Sequence, residues 1–155
     1  MTARLNIAKV APGAYHSMLG LEKFIRESSI EEKLVHLLKM RASQINGCAY
    51  CLDMHSKEAR AVGETEQRLY GLDAWREAPY YTERERAALE WVEALTLVAE
   101  GHVPDDVYER ARGQFSEKEL VELLMIAVAI NGWNRLAIAF RTEPGTYQPS
   151  QRHAG

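Results

Sequence analysis

Arg41-Ala42-Ser43-Gln44-Ile45-Asn46-Gly47-Cys48-Ala49-Tyr50-Cys51-Leu52-Asp53-Met54-His55 carries most of the information in this chain. Asn46 and Gly47 break the helix before them, because glycine accepts the left-handed backbone of a helix end. Cys48 then falls in the first turn of the next helix. At about 100° per residue, Cys48, Cys51 and His55 lie within an arc of roughly 60° and share one face. The first turn also presents unpaired N–H groups and the positive end of the helix dipole, and both favour a thiolate over a thiol.

That geometry suits peroxide chemistry. One cysteine ionises with His55 as proton acceptor, attacks a peroxide oxygen and becomes a sulfenic acid. The other condenses with it to a disulfide, which an outside dithiol reduces by exchange. Two other readings fit the same residues. The cysteines could pack as small hydrophobes. Cys48, Cys51 and His55 could also be three zinc ligands, but a structural site wants a fourth, and His16, His36, His102 and His153 are dispersed.

Outward from the motif the chain reads as all-α. Capping boxes at Ser29-x-x-Glu32, Thr82-x-x-Glu85 and Ser116-x-x-Glu119 mark helix starts. The expected helices are 12–27, 31–45, 48–62, 64–73, 82–100, 104–112 and 116–141, with an irregular connection at 74–81. The expectation is one domain over 1–155, with its core at about 12–141 and an irregular, mobile tail over 142–155. From Leu120 to Phe140 the last helix is apolar nearly all round, as in a helix that is central or covered by another subunit. Ile130-Asn131-Gly132-Trp133 faintly echoes Ile45-Asn46-Gly47-Cys48.

The 19 basic and 22 acidic residues leave a net charge of −3, which argues against a general nucleic-acid binder. The longest apolar run, Leu123–Ile130, is far short of the roughly 20 residues of a membrane span. With no apolar leader at the N-terminus, the expected compartment is the cytosol, where paired cysteines are more often reactive than structural.

The segment Arg41–His55 resembles the core motif of the AhpD-like alkylhydroperoxidases, within the carboxymuconolactone decarboxylase superfamily. Tyr70–Pro79, Thr82–Leu89 and Ile130–Arg141 are similar to one AhpD-like branch, so the resemblance covers roughly residues 12 to 145. It implies an all-helical fold with the CxxC pair at a helix N-terminus, assembly into trimers or hexamers, and thiol peroxidase activity on hydrogen peroxide or organic hydroperoxides. It also implies that Cys51 is peroxidatic, Cys48 resolving and His55 the motif histidine, although the dipole alone would favour Cys48. The family's relay glutamate, twelve residues before the first cysteine, is His36 here. His36 could relay protons in its place, and Glu31, Glu32 or Glu122 could supply a carboxylate in space. Tyr50 could line the site or simply pack. Arg41 could face a thiolate or pair with an acid, and Asp53 lies off the cysteine face.

The expected function is therefore a cytosolic, homo-oligomeric thiol peroxidase in antioxidant defence. A dithiol or lipoyl-bearing protein would be its reductant, and no metal, flavin or haem is implied. The alternatives are a thiol redox sensor that stops near one equivalent of peroxide, and a decarboxylase-like enzyme acting on a lactone. The paired cysteines speak against the last.

Overall fold

Caps and apolar faces put helices where the sequence offers them. The computed structural model describes residues 2–149. It consists of α1 (Ile7–Val10), α2 (Pro12–Arg26), α3 (Glu32–Asn46), α4 (Ala49–Ala61), α5 (Glu66–Tyr70), α6 (Glu83–Thr96), α7 (Val98–Gly101), α8 (Asp105–Arg112) and α9 (Glu117–Phe140). A 3-10 turn at Gly71–Ala74 follows α5, and no strand occurs among the described residues.

Two capping boxes form as expected. Thr82 and Glu85 close the start of α6, and Ser116 and Glu119 that of α9. The third does not form. Ser29 instead gives its hydroxyl and its amide to Glu122 of α9 (2.6 and 3.1 Å), and α3 starts after Glu31. A buried carboxylate needs donors more than an exposed helix end needs a cap. The expected helix 64–73 passes into the 3-10 turn where the Tyr80 hydroxyl occupies the space a Cβ of Gly71 would need. The expected helix 82–100 splits at Leu97, which leaves helical backbone (φ −97°, ψ 29°). The unexpected α1 is capped by Asn6, whose side chain accepts from the Lys9 amide.

The core is one cluster running from Ile25 to Ala137. Leu37 and Leu38 of α3, Leu89 of α6, and Leu123, Ile126 and Ile130 of α9 are fully buried in it. Each contributes about 1.5–3 kcal/mol of burial. The α3 helix lies at the centre, packed on α4, α6 and α9. By length and composition α9 is apolar enough for a membrane span, with mean hydropathy 1.6. Yet it packs against α2, α3, α4, α6 and α8, which is the place of a core helix. Its outer face leaves Val121, Val128 and Ile138 exposed.

Beyond Thr142 the chain is irregular, as expected, but it is held down on α4. Lys57 donates to the carbonyls of Gly145 (3.3 Å) and Tyr147 (3.0 Å), and the Gly145 amide donates to Asp53 (3.0 Å). Asp53, paired with Lys57 at 2.9 Å, is thus an anchor for the tail. The expectation of a mobile tail beyond 149 lies outside the described residues.

Candidate active site

Gly47 ends α3 in the left-handed conformation (φ 67°), and the Gly47 and Cys48 amides close its last turn on Gln44 and Ser43 (3.2 and 3.0 Å). Cys48 is extended and becomes the N-cap of α4 rather than part of its first turn. Its sulfur accepts from the Cys51 amide at 3.3 Å. Cys48 and Cys51 are joined as a disulfide with Cα atoms 5.3 Å apart, and both are buried. Behind them, Asn46 donates to Asn131 (2.9 Å) and Asn134 (2.8 Å), and Asn134 donates to Ser43 (3.1 Å). These bonds tie the cysteine turn to α9.

His55 follows Cys51 by one helical turn, so the two side chains are neighbours on one face of α4. His55 is 4% exposed, and its Nδ1 is 3.0 Å from a carboxylate oxygen of Glu58. Burial pushes His55 below its ordinary value, although the Glu58 bond works the other way. Burial alone would raise Glu58. The hydrogen bonds from His55 and from the Tyr147 hydroxyl (2.7 Å) outweigh it and hold Glu58 at about 2. Glu58 is therefore ionised near neutrality and His55 donates its Nδ1–H to it, which leaves the lone pair on the other ring nitrogen.

His36 arrives from α3. Its Nδ1 lies 3.6 Å from the same Glu58 oxygen and has no hydrogen-bond partner, and burial lowers its pKa to about 4. Its Nε2 faces Glu32 at 3.9 Å. The His36 and His55 rings stand 6.3 Å apart between centroids. Nearby, buried Lys39 forms an ion pair with Glu22 at 2.6 Å, and Glu22 also accepts from the Trp133 indole at 3.0 Å.

The structure therefore puts Cys48 at the cap of α4, Cys51 in its first turn and His55 one turn further on, and sets His36 beside His55. It takes Glu122 elsewhere, to Ser29 and to Lys118 at 3.3 Å. Glu31 pairs with Arg84 at 2.8 Å. Arg41 pairs with acids, Glu93 at 2.5 Å and Asp73. Tyr50 is half-buried and packs against the core. The carboxylate beside the histidines is Glu58, which the sequence reading missed. Its three-residue spacing from His55 was the available signal.

Comparisons with known proteins show the family and the fold. The model of the carboxymuconolactone decarboxylase family matches residues 12–94. The uncharacterized protein YdfG of Bacillus subtilis is 45% identical over 139 residues, which cover 90% of this chain and 95% of that protein. A protein of unknown function from Agrobacterium tumefaciens, described as a candidate antioxidant defence protein AhpD, superposes with a TM-score of 0.91 at 45% identity. That match covers 94% of this chain and 100% of the other. The debrominase Bmp8 shares the fold, with a TM-score of 0.75 at 22% identity over 87% of this chain and 73% of its own.

Proposed function

Because the chain belongs to the carboxymuconolactone decarboxylase family, we propose, from its AhpD-like fold and its cysteine pair, that it is a dithiol-dependent thiol peroxidase. The observation that carries this is a vicinal cysteine pair at the start of α4, on the face where a carboxylate orients His55.

In the reduced state His55 takes the Cys51 thiol proton on its free ring nitrogen, and Glu58 stabilises the resulting imidazolium. The Cys51 thiolate attacks one oxygen of a hydroperoxide. The O–O bond breaks, the alkoxide leaves as an alcohol with the proton from His55, and Cys51 becomes a sulfenic acid. The Cys48 thiol then attacks Cys51, water leaves and the disulfide forms. An external dithiol, either lipoyl-bearing or a small thiol protein, returns both cysteines to thiols and is itself oxidised. The roles of Cys51 as attacking and Cys48 as resolving thiol follow the family resemblance. The reducing cytosol suits such a cycle, and the exposed apolar stripe on α9 suits a second copy of this chain.

Peroxide consumption with excess dithiol tests the reading. Many equivalents should be consumed per chain, and turnover should vanish in Cys51→Ser and Cys48→Ser. In His55→Ala it should fall and recover at higher pH. A single equivalent consumed, with one Cys48–Cys51 disulfide formed, would favour a redox sensor. Thiols that do not react at all would sink both readings.

A further inference from the structure

The buried group of His36, His55 and Glu58 has a donor arrangement that proton transfer does not require. One donor atom from each lies within 4.8 Å of the others. His55 Nδ1 and His36 Nδ1 stand 3.0 and 3.6 Å from one Glu58 oxygen. Ligands bound tetrahedrally at about 2.0–2.1 Å from a zinc ion sit roughly 3.3 Å apart; the two spacings to Glu58 bracket that value, and the donor atoms of the two histidines lie within 4.8 Å of each other. His36 is 8% exposed, and its Nδ1 is an orphaned polar atom. A buried acceptor or donor without a partner costs stability unless something meets it. The Tyr147 hydroxyl bonds the other oxygen of Glu58 at 2.7 Å and fixes the carboxylate's orientation, as outer partners of metal ligands do.

We propose that His36, His55 and Glu58 form a binding site for a borderline divalent cation of the zinc class. With an ion in place of the proton that His55 Nδ1 donates to Glu58, two imidazoles and one carboxylate supply three ligands and leave a position open for water or a thiolate. This set differs from a zinc site built on the two cysteines, because it is available while they are joined as a disulfide. On the peroxidase reading, a bound ion takes His55 out of proton transfer, so the same trio makes the thiol chemistry sensitive to divalent metal. The binding itself does not depend on that reading.

The test is calorimetric titration of zinc ions into the full chain in its disulfide form, and into the Cys48→Ser/Cys51→Ser double variant. One ion should bind per chain in both. Glu58→Gln and His36→Gln should each weaken binding by about 100-fold, and Tyr147→Phe by about 10-fold. Cobalt(II) absorption of the unmutated disulfide form gives a second readout if a variant fails to fold. Bands of low-symmetry nitrogen and oxygen ligation, without sulfur-to-cobalt charge transfer, are expected. No saturable binding to the disulfide form, binding that survives both substitutions, or an aquo-cobalt spectrum would each overturn the proposal. Because none of these readouts uses turnover, a failed metal site and a failed peroxidase remain distinguishable.

Discussion

At Ile45-Asn46-Gly47-Cys48 the chain leaves a helix, whereas at Ile130-Asn131-Gly132-Trp133 nearly the same residues run through the middle of one. The two glycines serve different needs. Gly47 has φ 67°, a conformation that a side chain would strain. Gly132 is helical, and a Cβ there would meet Met18 Cε at 2.8 Å, so it provides space for α2 to approach α9. The residue that follows differs too. The Cys48 sulfur accepts an amide hydrogen bond and starts a new helix, while the Trp133 indole can only donate and does so to Glu22. The copies also meet, through Asn46 and Asn131. A short motif thus permits a helix break, and its tertiary partners decide whether the break occurs.

The largest separation between the two regions should be chemical. Cys51→Ser should lower peroxide turnover by about a thousandfold or more. Trp133→Phe, in the echo, should stay within about threefold in the same assay, since it removes one hydrogen bond to Glu22. A comparable loss in both would place the α9 copy in the catalytic apparatus.

Acid should distinguish the regions next. Burial holds the His36 pKa at about 4 in the folded chain, against an ordinary 6.5. Glu32, Lys39, His55 and Glu58 are the charged and titratable groups acting on it. Between these values the unfolded chain binds a proton that the folded chain refuses. The contribution to stability is therefore unchanged above pH 6.5 and falls away towards pH 4, by about 2–3 kcal/mol. Glu58, at about 2 when folded against 4.5, contributes stability above pH 4.5 that is lost as pH falls towards 2. Melting temperatures from pH 7 to 4 should drop in the native sequence and drop less in His36→Phe, where buried His55 still contributes, while Asn131→Ala keeps the native slope. A native curve that is flat in this window would contradict a buried, neutral His36.

The asparagine contact comes third. Asn46→Ala takes the Asn46 donor from Asn134 Oδ1 and should cost about 2 kcal/mol in urea unfolding. A double-mutant cycle of Asn46 with Asn131 should return coupling on the order of 1 kcal/mol, and additivity would show that the two copies do not support each other. The smallest difference lies in the glycines. Gly47→Ala should cost about 1–2 kcal/mol for its left-handed backbone. In Gly132→Ala, a helical gain of about 1 kcal/mol is offset by displacing the flexible end of Met18, so its melting temperature should barely move.

Much of this was legible from local rules. Asn46-Gly47 announced the break before Cys48, and Thr82-x-x-Glu85 and Ser116-x-x-Glu119 announced their helices. The shared face of Cys51 and His55 needed only the helical repeat, whereas Cys48 is extended and caps the helix instead of lying in its first turn. What stayed hidden depends on packing between distant segments. His36 joins His55 because α3 folds back along α4, and no spacing within either helix reveals it. Ser29 read as a cap because Glu122, 93 residues away, was invisible as its partner. Glu58 was visible as a neighbour of His55, but nothing local distinguished it from other acids on exposed faces.

The sulfur of Cys48 has two duties, since it closes the disulfide and also receives the Cys51 amide at the start of α4. Reduction leaves that sulfur a thiol, which is a weak acceptor, and removes the crosslink that holds it over the amide. Exchange of that single amide proton with solvent deuterium should therefore quicken on reduction. Residue-resolved exchange at Cys51 would then report the oxidation state of the pair from within the helix, without any reagent that consumes thiols.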